Sequence, residues 1–184
     1  SKINIYDLIY LENKEIFNKY FSEYKDNVKF KKINLNIDYK DKKLKVSGDG
    51  NYNINNQDDK ITFNFDKYKD TYDFEVKKNL NKSKILLEAI NYIKKENDKA
   101  LLFIKGKYNN NKNLIFNEIN YSENKNKIII NNLKLNQKYK VINFNNIILN
   151  YFTVNNIFNE LKITYNKPDY TIIGKNYDAL KIVK

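Results

Sequence analysis

From Val28 onward, apolar and polar residues alternate with a period of two, and no other feature constrains the fold as much. Ile33, Leu35, Ile37 and Tyr39 are separated by asparagine and aspartate. Leu44 and Val46, then Ile61, Phe63 and Phe65, then Tyr72, Phe74 and Val76, repeat the pattern. Successive side chains of a β-strand point to opposite faces, so this alternation describes strands with one apolar and one wetted face. KILLEAINYI, ALLFIKGKY, NLIFNEINY, KIIINNLKL, KVINFNNIILNYF, ELKITY and DYTIIG read as further strands, and INIYDLIYL as a short strand near the start. Between them lie DYKDKK, NNQDDK, KYKDTY, NLNKSK, KKENDK and NNNKN, which carry turn chemistry. The runs return roughly every 12 to 16 residues, the spacing of antiparallel hairpins. The single proline, Pro168, precedes one of the last strands, where a missing donor does little harm.

Only LENKEIFNKYFSEY has a helical period. Leu11, Ile16, Phe17, Tyr20, Phe21 and Tyr24 fall on one stripe, and Asn13 is placed to cap it. The expected fold is therefore all-β and mainly antiparallel, a single segment over 1–184. One short amphipathic helix spans about 12–24, and strands run from about 28 to 183. A helix of about 13 residues covers roughly 20 Å of its own axis, too little to seal a sheet of about ten strands. The sheet must close as a barrel, fold as a sandwich, or stay open as a groove whose apolar face holds a guest. A closed core would make the chain a structural or interaction module.

The net charge of +12 comes from 34 lysines and no arginine, beside abundant asparagine, isoleucine and tyrosine. That joint bias reads as an AT-rich genome. Readers of phosphate favour the planar arginine fork, so no specific nucleic-acid partner is expected. A lysine excess still favours anionic surfaces, lipid headgroups included. The chain has no cysteine and no histidine, which removes disulfides, thiolate chemistry, the usual zinc ligand sets and histidine acid–base catalysis. No apolar run reaches the length of about 18 residues that spans a bilayer as a helix. With no methionine anywhere, the chain reads as a piece of a longer protein.

Asp58, Asp59, Glu88, Glu118, Glu123 and Asp178 are the carboxylates a hydrolase would draw on. None has a partner at diagnostic spacing, and they read as solvated turn acids. A pair that meets only in space stays open to a glycosidase reading. Asp7 and Asp178 receive no role. VSGDGNYNI carries a G-x-G, but no helix follows it, so it is no phosphate cradle. Gly48 and Gly50 instead mark a bend or bulge on the apolar side of the sheet. Gly106 and Gly174 stand in similar G-x-Y or G-x-x-Y settings. No catalytic residue, metal or cofactor is expected.

In chain order, NKEIFNKYF (13–21), FKKINLNIDYKDKKLKVSGDGNY (30–52), LFIKGKYNNNKNLIFNEINYSENKNKIIINNLKL (102–135) and YTIIGKNYDALKIV (170–183) resemble the AsmA-like envelope proteins. The resemblance implies a long curved β-groove, an internal segment of a longer protein that lies in the periplasm and is anchored to the inner membrane. It implies phospholipid acyl chains as guests, transport between inner and outer membranes in outer-membrane biogenesis, and contact with bacterial membranes through parts outside this chain. Lining the groove, and not catalysis, is then the role of Ile33, Leu35, Ile37, Leu44, Val46, Ile61, Phe63, Phe65, Phe74, Val76, Leu102, Ile104, Ile128 and Ile130. Gly48, Gly50, Gly106 and Gly174 are the bends. An acyl chain of about 16 carbons gains on the order of 10 kcal/mol on burial, before entropy costs.

Overall fold

In a computed structural model, residues 1–10, 28–54, 57–109 and 113–176 are described. Eleven strands form an antiparallel meander in the order β1 (Lys2–Tyr10), β2 (Val28–Lys40), β3 (Lys43–Ile54), β4 (Gln57–Tyr68), β5 (Thr71–Asn79), β8 (Ala100–Asn109), β9 (Leu114–Glu123), β10 (Asn126–Leu135), β12 (Asn146–Phe152), β13 (Phe158–Asn166) and β14 (Asp169–Lys175). The short β11 (Val141–Asn143) pairs with the end of β10 and makes the sheet twelve-stranded. β1 and β14 stand at opposite ends of the order, and the sheet does not close. The sheet is therefore open, as expected, and the barrel alternative is set aside. A matching second sheet is also missing among the described residues, where the only other sheet is the two-stranded hairpin of β6 (Ile85–Leu87) and β7 (Tyr92–Lys94). The helix expected over about 12–24 lies outside the described residues, as do the last residues of the range to 183.

The alternation becomes a set of ladders running across the strands. One rung passes through Ile3, Leu35, Gly48, Phe63, Val76, Ile104, Ile119, Ile130, Ile147, Ile163 and Ile172, so every strand of the meander places an aliphatic residue, phenylalanine or glycine on it. Neighbouring rungs on that face hold Ile37, Val46, Phe65 and Phe74 on one side and Ile61, Leu102, Tyr121, Ile128, Leu149 and Leu161 on the other. The opposite face carries Asn34, Asp49, Thr62 and Lys77 in register. Cross-strand pairs of like polarity follow from the period of two once the turns fix the register.

KILLEAINYI departs from the expected single strand. It leaves the sheet after β5 and folds as β6, a 3-10 turn over Glu88–Ile90, and β7, with Asn91 left-handed at the turn's end. Ile85, Leu86 and Leu87 are consecutive apolar residues, which suits a segment covered on both faces better than a half-wetted sheet strand. The insert lays Ile85 and Tyr92 on the apolar face, against Leu80, Ala100, Tyr121, Leu149, Tyr151 and Leu161, and this is the buried core. KVINFNNIILNYF also divides, into β11 and β12, where Phe144 turns in to stack with Tyr170 at 5.9 Å.

Candidate functional site

The insert packs over the rung of Leu102, Tyr121, Ile128, Leu149 and Leu161, and the apolar face over β1 to β5 holds an open trough. There Ile33, Leu35, Val46, Ile61, Phe63, Phe65, Phe74 and Val76 surround one trough of about 440 Å³, together with Ile5 and Phe30. Apart from Ile33, which is buried, the expected lining residues are only half-buried. Period-two alternation placed all eight in the sequence. It also marked Ile5 and Phe30, which went unselected because each stands at the margin of its run.

The other expected lining residues share the face but not the trough. Ile37 and Val46 are opposite each other, with Ile37 beyond the trough's border. Leu44 falls on a terminal rung with Tyr39, Lys67, Tyr72 and Tyr108. Leu102 and Ile128 pack against the core beneath the insert, while Ile104 and Ile130 continue the central rung past the trough. Lys78 separates the two regions. It stands between Ile61 and Leu102 on the apolar face, with its ammonium 4.0 Å from the centre of the Tyr52 ring. A cation over an aromatic face is a stable way to hold a lysine on an apolar surface.

The glycines serve close approach. None has a positive φ. A Cβ on Gly48 would stand 2.7 Å from the Phe63 ring and 2.8 Å from the Asn34 carbonyl oxygen. One on Gly50 would meet the Ile33 side chain, and its Cα at 3.0 Å, where β2 bulges between Lys31 and Asn34. Gly106 stands beside the second such irregularity, with the Ile115 carbonyl and the Phe74 ring against the missing side chain. Gly174 lies under Leu161 in regular register. The side chains flanking the trough thus fold over glycines, which a Cβ would prevent.

Two carboxylates read as solvated are buried. Asp59 accepts a hydrogen bond from the backbone N–H of Lys82 at 2.8 Å, at the root of the insert. Glu123 accepts from the Tyr92 hydroxyl and, at 2.7 Å, from the Asn126 amide. Tyr92 and Tyr121 share a hydrogen bond of 2.6 Å. Burial raises the pKa of Tyr92 and Tyr121, and the hydrogen bond to Glu123 raises that of Tyr92 further. Tyr52 is likewise raised by burial, then by the charge of Asp59. Asp58, by contrast, is exposed, and hydrogen bonding from Asn53 lowers its pKa. Asp59, Glu123, Tyr92 and Tyr121 fasten the insert to the sheet, and none lines the trough.

The polar face holds a hollow of about 500 Å³, larger than the trough, lined by residues such as Asn34, Asn36, Ser47, Asp49, Thr62 and Asn64. Most of those side chains are exposed to water, so the hollow has no desolvated group to grip a ligand. Among the described residues, no group of three or more acidic side chains is placed to hold a metal ion. No family model, curated protein or solved structure matches the chain.

Proposed function

We propose that the chain is a non-enzymatic lipid-handling segment, whose open apolar face binds phospholipid acyl chains. We take it as part of the groove of an AsmA-like envelope protein that passes lipid between inner and outer membranes. The observation that carries this reading is the apolar rung through all eleven meander strands, joined over β1 to β5 to a trough that the described residues leave uncovered. Its volume of about 440 Å³ falls among small-molecule sites of about 300–1,000 Å³. Apart from Asn64, the lining is aliphatic and aromatic, without a charged side chain, which suits hydrocarbon. A rung that repeats isoleucine from Ile104 to Ile172 offers similar surface at each step, so a bound chain gains little by stopping at any one of them.

Purified protein incubated with labelled phospholipid and separated from free lipid tests this. Folded protein takes up lipid, and Phe63→Gln/Val76→Gln reduces uptake by about tenfold or more while leaving the circular dichroism spectrum of the sheet unchanged. Each methylene kept from hydrocarbon contact forfeits about 0.8 kcal/mol, so two polar side chains in the trough suffice. Equal uptake by the double variant, or none by the folded parent, ends the proposal.

A further inference from the structure

Apart from Tyr6, exposed at 75% in the middle of β1, the exposed and the buried tyrosines among the described residues fall at different strand ends. The strand ends that meet at β2–β3, β4–β5, β8–β9, β10–β11 and β13–β14 lie along one lip of the sheet. Each carries one exposed tyrosine: Tyr39 at 69%, Tyr68 at 46%, Tyr108 at 41%, Tyr139 at 73% and Tyr170 at 59%. At the other strand ends Tyr52, Tyr92, Tyr121 and Tyr151 are all at 7% or less. Lysine accompanies the exposed set in every turn. The stretches YKDKK (39–43), KYKDT (67–71), KYN (107–109), QKYK (137–140) and NKPDY (166–170) hold nine lysines against three aspartates. The ammonium groups of Lys43 and Lys69 stand 5.2 Å and 5.3 Å from the centre of the Tyr68 ring. Eight of the nine lysines are exposed.

We infer that this lip is a docking surface for an anionic lipid bilayer. The tyrosine rings enter the headgroup layer and the lysines pair with its phosphates. An exposed aromatic ring with a polar tip is at its most stable where one end is apolar and the other wet, which is the headgroup layer. Clustered lysines add attraction to anionic lipid, about fivefold in affinity for each lysine near the surface. The terminal rung of Leu44, Tyr72, Tyr108 and Leu114 puts the lip directly above the apolar face. The inference places membrane contact on this chain itself and does not require the trough to hold lipid.

Vesicle co-sedimentation distinguishes the cases, using phosphatidylcholine alone and phosphatidylcholine mixed with phosphatidylglycerol. The chain binds the mixed vesicles and binds the neutral ones far less. Lys40→Gln/Lys69→Gln/Lys138→Gln weakens binding by about a hundredfold. Tyr39→Ser/Tyr108→Ser/Tyr139→Ser weakens binding while keeping its salt dependence. Lys95→Gln/Lys99→Gln/Lys125→Gln, three exposed lysines away from the lip, changes it little. Equal loss in this last variant would show general charge attraction and overturn the inference. So would failure to bind mixed vesicles, or binding confined to a single-stranded oligonucleotide. Uptake of labelled phospholipid, measured on the same variants, separates lip from trough. Lip variants keep uptake, and Phe63→Gln/Val76→Gln keeps vesicle binding.

Discussion

Lys94 has no exposure to water, and its ammonium instead meets the backbone carbonyls of Asn81 at 3.2 Å, Ser83 at 2.8 Å and Lys95 at 2.7 Å. Three donors facing three acceptors is the complete complement of a lysine. Burial lowers its pKa, against the raising influence of nearby carboxylates such as Asp98 and Glu123. This lysine thus closes the loop from which the insert grows. Lys94→Met keeps the bulk and removes all three donors, leaving the buried Ser83 without this donor to its carbonyl, while the N–H groups of Asn97 and Asp98 still reach the Asn81 and Lys95 carbonyls. The expected loss is about 3 kcal/mol, read as a lower urea midpoint at unchanged slope. Nothing in YIKKEN distinguishes Lys94 from Lys95, since a lysine reads as solvated unless its surroundings are known. Glu123 and Asp59 were illegible for the same reason. Their partners come from other strands, at separations that no local pattern records.

At the scale of the element, faces were legible and departures from regularity less so. Alternation alone assigns Leu35, Phe63, Val76, Ile104 and Ile130 to one side, because each strand carries its own parity. It does not say which strands pair. That follows from turns such as Asp41–Lys42, both left-handed, which set β2 against β3. KILLEAINYI was misread because its apolar run fits a buried hairpin and a sheet strand equally, and only the available apolar face decides between them. The glycines were read as bends; Gly50 and Gly106 stand at register irregularities, Gly174 lies in regular register, and all four make room for neighbours. Gly50→Ala and Gly106→Ala are expected to destabilise by about 1–3 kcal/mol each, since the new methyl meets backbone atoms of the bulged partner strand. Gly50→Ala also displaces Ile33 and so narrows the trough at its buried end. Chemical denaturation checks the stability, and labelled-lipid uptake checks the trough.

Across the whole molecule, the two lips differ in how their tyrosines meet water, and this makes alkaline pH a selective probe. Tyr52, Tyr92 and Tyr121 all have pKa values raised by burial in the fastening between insert and sheet. Up to the ordinary phenol value of about 10 they stay protonated in the folded and the unfolded chain alike, and contribute no pH dependence. Above it the unfolded chain releases protons that the folded chain retains, so the unfolded state gains and stability falls as pH rises. The expected outcome is a denaturation midpoint that declines above about pH 10, where the three tyrosines contribute a slope approaching three protons per molecule and the lowered pKa of Lys94 opposes them only up to the ordinary lysine value. Tyr52→Phe lowers stability at every pH by removing the hydrogen bond to the Asn79 carbonyl, and makes the alkaline slope shallower by about one proton. Equal slopes in parent and Tyr52→Phe would mean that Tyr52 is open to water in solution, and the core that joins it to Tyr92 and Tyr121 would then not be closed.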